Sequence, residues 1–195
     1  MQPDYLEIAL SPNSIQFYAI ITGVITVFLT ARRNIWCWPV GIVSTILAAY
    51  VYLFQQLPYE ALLQVFYLIM AIYGWINWYK SSESKGLVVE YTSIKQHIWL
   101  CTTAAVVGLG LGYFSFLHYH SYLSFLDALL TTFSLAANWL AAKRKIENWW
   151  YWIVIDSISV GLYHYKGMDM FALLFIFYTL LAIRGLGEWK EGFQE

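Results

Sequence analysis

The stretch "AIITGVITVFLTA", residues 19–31, has no charged residue, and "FALLFIFYTLLAI", residues 171–183, has the same character near the other end of the chain. Both runs are continuously apolar, whereas the strands of a membrane barrel alternate apolar and polar positions over about ten residues. A soluble domain also fits poorly, because 60% of the 195 residues are hydrophobic and only 12% are charged. The composition therefore predicts an all-α integral membrane protein.

Seven apolar runs are long enough to cross the hydrocarbon core of a bilayer, which takes about 20 residues of helix. The predicted transmembrane helices, numbered 1 to 7 in chain order, are Ser14–Ala31, Ile35–Phe54, Tyr59–Tyr79, Ile98–Leu117, Tyr122–Ala142, Asn148–Tyr165 and Met168–Gly185. The start of the chain, "MQPDYLEIALSP", has no basic segment and no small-residue cleavage site. We therefore expect the first span to be retained rather than removed as a signal peptide.

Lysine and arginine are distributed unevenly between the two sides of the predicted membrane. Of the eleven in the chain, only Lys166 falls on the side of the N-terminal tail. By the positive-inside rule, the N-terminus is predicted to lie outside and the C-terminus in the cytoplasm. The basic clusters are short and lie beside helix ends, so they do not indicate a nucleic-acid partner.

An internal repeat relates the two ends of the chain at an offset of 111 residues. At this offset identical residues coincide without a gap: Leu29 with Leu140, Arg33 with Arg144, Trp38 with Trp149, Gly74 with Gly185 and Trp78 with Trp189. A constant offset across two helices and their connection, including the rarer Arg, Trp and Gly, indicates duplication. Residues 14–79 and 122–190 are thus predicted to be two three-helix repeats, with residues 98–117 as a linker helix between them.

The single linker helix gives both repeats the same orientation in the membrane. The prediction is one transmembrane domain in a parallel 3+1+3 arrangement, as in SWEET-type transporters, whose substrate sites lie near the midplane between the repeats.

Polar residues inside the spans form stripes at helical spacing, since residues three or four apart share a helix face. Helix 6 carries Trp149, Trp152, Asp156, Ser159 and Tyr163; helix 3 carries Gln64, Tyr67, Ala71, Trp75 and Trp78; helix 5 carries Asp127, Thr131, Ser134 and Asn138. An acid at a helix centre costs about 2.5 to 3.5 kcal/mol on insertion scales. We therefore expect these faces to point at a partner, a cavity or water rather than at lipid.

Each of these residues also has a purely structural interpretation. Asp156 could have the sole role of a hydrogen bond to a neighbouring helix. Asp127, near the outer end of its helix, could tie helix 5 to a neighbour. About half of the tryptophans fit an aromatic belt at the membrane interface. His118 and His120 form a short H-x-H in an outer loop without a third ligand, so no metal site is predicted there.

Other classes of seven-helix protein fit less well. A retinal protein needs a lysine inside a span for the Schiff base, and no predicted span interior contains one. An intramembrane aspartyl enzyme would need a carboxylate dyad, but Asp127 and Asp156 are predicted at different depths. An ion-coupled symporter stays open as an alternative, whereas ATP-driven pumping would require a nucleotide-binding loop, and the sequence shows no such motif.

The segments "NIWCWPVGI" (34–42), "LLQVFYLIMAIYGWINW" (62–78) and "KRKIENWWYWIVIDSISVGLY" (143–163) resemble the PnuC family of bacterial vitamin transporters. The resemblance extends over residues 32–189 and implies the 3+1+3 fold in the bacterial inner membrane. It also implies inward facilitated diffusion of an unphosphorylated vitamin: nicotinamide riboside, thiamine or, less closely, riboflavin. A cytosolic kinase would trap the product. The resemblance implies no cofactor.

The positions that match the family's motifs are the substrate-binding candidates, together with Tyr67 of the same helix-3 stripe: Gln64, Tyr67, Trp75, Trp78, Asn148, Trp149, Trp152 and Asp156. Indole faces suit a pyridinium or thiazolium ring, and Asp156 would supply an acceptor or counter-charge. Asp127, Thr131 and Asn138 are candidates for additional cavity lining.

Pro39 and Gly74 are the candidate gate residues. Pro39 is expected to break the hydrogen-bond ladder of helix 2, and Gly74 to allow a close approach in helix 3. Membrane lipid is the surrounding partner, and the oligomeric state is left open, with a homo-oligomer as one alternative.

Overall fold

The structure is a computed structural model that describes residues 12–56, 58–85 and 88–194. Within these ranges the regular secondary structure is helical apart from one isolated bridge, and turns and loops join seven helices: α1 Pro12–Ala31, α2 Cys37–Phe54, α3 Pro58–Lys85, α4 Ile94–Tyr119, α5 Leu123–Ala142, α6 Asn148–Tyr165 and α7 Asp169–Gln194. Residues 1–11, on which the expectations of a retained first span and an outside N-terminus depend, lie outside the described residues.

The helices follow the predicted spans, but three of them continue past the apolar run. α3 runs to Lys85 instead of Tyr79, α7 runs to Gln194 instead of Gly185, and α4 begins four residues early at Ile94. The polar segments beyond the apolar runs of α3 and α7 contain no proline. A helix therefore continues there after the hydrophobicity that defined the span has ended.

Six of the seven described helices are long and apolar enough to cross a membrane, and α6 is the exception. Its 18 residues would suffice in length, but Asn148, Asp156 and other polar residues lower its mean hydropathy. α6 packs against α5 on one side and α7 on the other, and both of these qualify as spans.

The chain forms two compact units, Met1–Leu87 and Val88–Glu195. In the first, α1 packs on α2 and α2 on α3; in the second, α4 packs on α5, α5 on α6 and α6 on α7. α4 and α5 approach closely because Gly108 and Gly112 form a G-x-x-x-G face. A Cβ on Gly112 would lie 2.8 Å from the Cα of Phe125. Packing through small residues is a common way for membrane helices to associate without a hydrophobic driving force.

Local structure recurs in the two units at an offset of 111 residues. The bounds of α1 and α5 differ by this number at both ends, as do those of α2 and α6. Positive φ angles recur as well, at Arg33 and Arg144 (55° and 59°) and at Gln56 and Gly167 (59° and 72°). α1 and α5 both end in a Schellman motif, in which the left-handed residue is an arginine rather than the usual glycine.

The segment before α4 is fastened to the α5–α6 loop by a set of contacts that we call the loop clamp, residues 88–93 and 143–147. Glu90 pairs with the loop backbone, its N–H donating to the Arg144 carbonyl at 3.0 Å. The Lys145 ammonium donates to the Glu90 carboxylate at 2.7 Å. The backbone N–H and hydroxyl of Thr92 donate to the two carboxylate oxygens of Glu147 at 2.8 and 2.9 Å. The clamp thus holds the chain immediately before α6.

Candidate functional site

The predicted stripe on α6 is buried along most of its length. Asp156 is 5% exposed and Ser159 4% exposed, and no hydrogen bond or ion pair to Asp156 is present among the described residues. Tyr178 of α7 lies within electrostatic range of the Asp156 carboxylate. A buried carboxylate without a hydrogen-bonding partner is costly, which makes this position a candidate for binding rather than a simple tie between helices.

The two tryptophans of the α6 stripe have different environments. Trp149 is 2% exposed and packs edge-on against Trp189 of α7, with ring centroids 5.6 Å apart at 85°. Trp152 is half-buried and packs partly against the core of the second unit. Trp149 is therefore the buried end of the stripe, packed against α7, whereas part of Trp152 stays accessible.

The first unit contains the same tryptophan arrangement. Trp38 packs edge-on against Trp78, with ring centroids 5.4 Å apart at 86°. Gly74 lies directly beneath the Trp38 indole, as Gly185 lies beneath the Trp149 indole in the second unit. The close approach predicted for Gly74 is therefore present, and its partner is Trp38.

Three buried polar atoms beside these indoles have no hydrogen-bond partner among the described residues: Nε1 of Trp38, Nε1 of Trp149 and Oδ1 of Asn148. Asn148 is fully buried, and its Nδ2 donates to the Lys145 carbonyl at 2.7 Å. An unsatisfied buried donor or acceptor costs about 1 to 3 kcal/mol. Such atoms are suited to meet water or a polar ligand.

The predicted residues of α3 share one helix face but differ in exposure. Gln64 and Tyr67 are half-buried, Trp78 is 1% exposed, and Trp75 is 41% exposed. The face therefore presents an amide, a phenol and one accessible indole, with Trp78 packed behind them.

The additional cavity-lining candidates lie on α5. Asp127 is exposed, and its carboxylate accepts from the Lys166 ammonium at 3.3 Å. This contact matches the interpretation of Asp127 as a tie between neighbouring helices. Thr131 and Asn138 are half-buried, and their role stays a prediction.

The prediction that Pro39 breaks the hydrogen-bond ladder of helix 2 is wrong. α2 begins at Cys37 rather than Ile35, so Pro39 lies in the first helical turn. The backbone N–H groups of that turn have no intrahelical acceptor in any helix, so a proline there interrupts no ladder bond. A gating role of Pro39 and Gly74 stays a prediction, but a broken helix at Pro39 does not support it.

A stack of aromatic rings between α6 and α7 was not predicted. The Tyr163 ring lies between those of Phe171 and Phe175, at centroid distances of 5.5 and 5.1 Å and within 21° of parallel. Phe175 in turn contacts Tyr178, the residue near Asp156. The sequence contains two indications of this stack. Phe171, Phe175 and Tyr178 are spaced to share one face of α7, and Tyr178 lies 111 positions after Tyr67.

Comparison with known proteins gives matches along nearly the whole chain. Residues 13–191 match the family described as Nicotinamide mononucleotide transporter. The chain is 24% identical to the nicotinamide riboside transporter PnuC of Escherichia coli (strain K12), over 93% of this chain and 87% of that protein. It is 25% identical to the riboflavin/roseoflavin transporter RibM of Streptomyces davaonensis, over 87% and 81%.

A solved structure is also similar. The crystal structure of the vitamin B3 transporter PnuC superposes with a TM-score of 0.72 at 22% identity, covering 97% of this chain and 86% of that one. At this identity the likeness concerns the fold.

Proposed function

Because this chain belongs to the nicotinamide mononucleotide transporter family, which includes the PnuC proteins, we propose that it imports an unphosphorylated B vitamin or vitamin precursor. The chain is a multi-pass protein of the inner membrane, and its relatives are transporters rather than enzymes. Nicotinamide riboside is the substrate we favour, with thiamine as the second member of the same class.

The observation that carries this proposal is the buried Asp156 carboxylate without a hydrogen-bonding partner in the described chain. Nicotinamide riboside carries a pyridinium and thiamine a thiazolium. A carboxylate is a favourable neighbour for either cation, and an indole face such as that of Trp152 contributes about 0.5 to 2 kcal/mol of cation–π attraction. Gln64 and Asn148 have the donors and acceptors for amide, amine or hydroxyl groups.

The same chemistry favours the riboside over the mononucleotide. A phosphate is bound most strongly by arginine or lysine through charge-assisted hydrogen bonds. The only such residue within the predicted spans is Arg184, one position before the end of Met168–Gly185, and Asp156 would repel a phosphate placed beside it. We therefore propose that the substrate is unphosphorylated.

We propose that the fold is a parallel 3+1+3 repeat with α4 as the linker helix. In this proposal α6 also crosses the membrane, in addition to the six helices that qualify by hydropathy, which gives seven spans. Recurrence of helix bounds, left-handed residues and tryptophan pairs at one offset supports the duplication. The position of α6 between two apolar helices supports its crossing the membrane. Trp152 and Asp156 are the proposed substrate-binding residues of the second repeat, with Trp149 packed beside them, and Gln64, Tyr67 and Trp75 are those of the first repeat, with Trp78 packed beside them.

Transport in this proposal is facilitated diffusion, made unidirectional by a cytosolic kinase that phosphorylates the vitamin. An ion-coupled symporter is the alternative mechanism. Riboflavin is the alternative substrate because RibM is similar to this chain, but a neutral flavin ring would gain no charge interaction from Asp156.

The experiment that tests the proposed substrate is titration of purified protein with nicotinamide riboside, nicotinamide mononucleotide, thiamine and riboflavin under one set of conditions. The proposal predicts that one of the two cationic, unphosphorylated compounds binds most tightly. Preference for riboflavin or for the mononucleotide would contradict the role given to Asp156.

A further inference from the structure

Glu147, the residue immediately before α6, uses its carboxylate to bind another segment of the chain. An acidic residue at this position commonly accepts hydrogen bonds from the first N–H groups of its own helix. The Glu147 side chain makes no such bond. Both of its oxygens accept instead from Thr92, at 2.8 and 2.9 Å, across a sequence separation of 55 residues. The beginning of α6 is thus held to the segment that leads into α4.

The rest of the loop clamp extends this contact along the backbone. The Glu90 N–H donates to the Arg144 carbonyl, and the Glu90 carbonyl accepts from the Ile146 N–H, both at 3.0 Å. The Arg144 guanidinium donates to the Val88 carbonyl, also at 3.0 Å. The side chains of Val89 and Ile146 are buried beside these polar groups. The segment before α4 is therefore bound to the second repeat over several consecutive residues.

α4 also contacts the second repeat further along its length. The Tyr151 ring of α6 packs edge-on against His97, with ring centroids 5.5 Å apart, and the Tyr151 hydroxyl lies 3.0 Å from the Cys101 sulfur. Near the middle of α4, Gly108 lies against α5, where a Cβ would be 3.2 Å from the Cα of Leu129. Contacts near the beginning and the middle of α4 therefore join it to α5 and α6.

The equivalent loop of the first repeat is built differently. At the offset of 111 residues, the position of Glu147 is occupied by Trp36, which has no carboxylate and is 63% exposed. The position of Lys145 is occupied by Asn34, whose Oδ1 accepts from the Trp36 N–H at 3.0 Å. The α1–α2 loop thus forms a contact within itself, whereas the α5–α6 loop binds a separate segment.

We infer that the loop clamp stays closed during transport, so that α4 moves with the second repeat as one body of four helices. This inference rests on the proposed transport function, in which one repeat rocks against the other. If α4 instead followed the first repeat, the Thr92–Glu147 bonds and the Glu90 backbone bonds would have to break in every cycle. Hydrogen bonds to a carboxylate are about twice as strong as neutral ones. The linker helix is thus part of the body that carries Asp156.

A reversible crosslink across the clamp tests this inference. The double variant Thr92→Cys/Glu147→Cys loses both side-chain hydrogen bonds, and a short bifunctional methanethiosulfonate joins the two thiols until reductant is added. Proteoliposomes are tested in turn with labelled nicotinamide riboside, thiamine and riboflavin. The reduced variant should take up the vitamin more slowly than the parent, because α4 is no longer held to the second repeat, and crosslinking should restore the rate.

The parent treated with the same reagent is the control, since it contains the free thiols of Cys37 and Cys101, and its rate should not change. Crosslinking that stops uptake until reductant is added would overturn the inference, because the clamp would then have to open in each cycle. Equal uptake by the parent and the reduced variant would also overturn it. So would a low rate that crosslinking leaves low, because the lost connection would not be its cause.

Hydrogen–deuterium exchange of residues 88–93 without any vitamin separates the clamp from the proposed function. Thr92→Val removes the hydroxyl but keeps the shape of the side chain, and it should speed exchange about tenfold, the effect of losing one hydrogen bond to a charged group. Thr92→Ser keeps a hydroxyl and should exchange as the parent does. Equal exchange in all three proteins would overturn the inference. A parent that shows the expected exchange but carries none of the three vitamins would contradict the proposed function alone.

Discussion

Asp156 is the residue on which the chemistry of the candidate site depends most. It lies at the middle of α6, buried and without a hydrogen-bonding partner among the described residues, and the Tyr178 phenol is within electrostatic range. A tie between helices would show a hydrogen bond to the neighbouring helix. The arrangement instead fits a group that meets its partner when a ligand binds.

Replacing Asp156 with Asn should keep the shape of the side chain and weaken binding of the preferred vitamin. A charge-assisted hydrogen bond is about twice as strong as a neutral one, so the loss should be about 1 to 2 kcal/mol, or roughly tenfold in Kd. Isothermal titration of the purified variant measures it.

Trp99→Phe is the control for this variant, since Trp99 is 65% exposed on α4 and does not belong to the proposed site. Its affinity should equal that of the parent. If Asp156→Asn binds the vitamin as the parent does while its stability without ligand falls, the acid is a tie between helices and the proposed site is wrong.

The pairing of helices through a tryptophan and a glycine is the main device at the scale of the element. Trp149 lies over Gly185 on α7, and a Cβ at that glycine would lie 2.6 Å from Cζ2 of the indole. Trp38 and Gly74 form the equivalent contact in the first unit. An indole is a rigid fused ring, so it cannot make room for an added Cβ by changing a side-chain torsion near its end. Each contact therefore requires glycine at this position.

Gly185→Ala should therefore lower the thermal midpoint of the protein in detergent, with an overpacking cost of about 1 to 3 kcal/mol. Gly187→Ala is the matched control on the same helix, because no atom lies within 4 Å of a Cβ placed there. That variant should be neutral or slightly stabilised, since alanine favours a helix by up to about 1 kcal/mol over glycine. Equal effects of the two substitutions would show that the indole contact is not what restricts position 185.

The ion pair between Lys145 and Glu90 in the loop clamp stabilises the folded protein by an amount that depends on pH. The hydrogen bond from Lys145 holds the pKa of the Glu90 carboxyl below its usual range. The contribution of the pair is thus present above the ordinary glutamate pKa of about 4.3 and is lost as pH falls through the lowered value. Glu90→Gln should lower the thermal midpoint slightly at pH 7, and the difference from the parent should vanish in acid.

The control for the clamp is the same substitution in a Lys145→Gln background. Without the ammonium, the pH-dependent difference caused by Glu90→Gln should become much smaller, because only the charge of Arg144 then still lowers the pKa of Glu90. A difference that persists unchanged in that background would mean that Glu90 acts through its backbone bridge alone.

Local pattern predicted the helices well and long-range packing poorly. The bounds of α6 coincide with the predicted span because a basic loop precedes it and a short loop follows it. The Thr92–Glu147 contact joins residues 55 positions apart, and neither side chain leaves a periodic signal. The burial of Trp149 was missed because the stripe identifies a helix face but not whether an indole on it contacts a ligand or another tryptophan.

At the scale of the whole molecule, the distribution of basic residues and the repeat make one linked prediction. A parallel repeat with a single linker helix requires an odd number of spans, which places the two termini on opposite faces of the membrane. The bias of lysine and arginine, with Lys166 alone on its side, assigns the C-terminus to the cytoplasm.

Protease protection in oriented cells tests this topology. A tag after Glu195 should be protected from external protease, and a tag before Tyr5 should be cleaved. If both tags behave alike, the chain has an even number of spans. The proposals that α6 crosses the membrane and that the repeats are parallel would then both be wrong.

Uptake by proteoliposomes tests the central claim most directly, because it isolates the transporter from the cell's kinases and gradients. Purified protein should let the preferred vitamin equilibrate across the bilayer without an imposed gradient, faster than in protein-free liposomes, and accumulation above equilibrium should require a vitamin kinase and ATP sealed inside. Uphill accumulation driven by a sodium or proton gradient alone would contradict facilitated diffusion. No uptake of any of the three vitamins above the protein-free control would contradict vitamin transport itself.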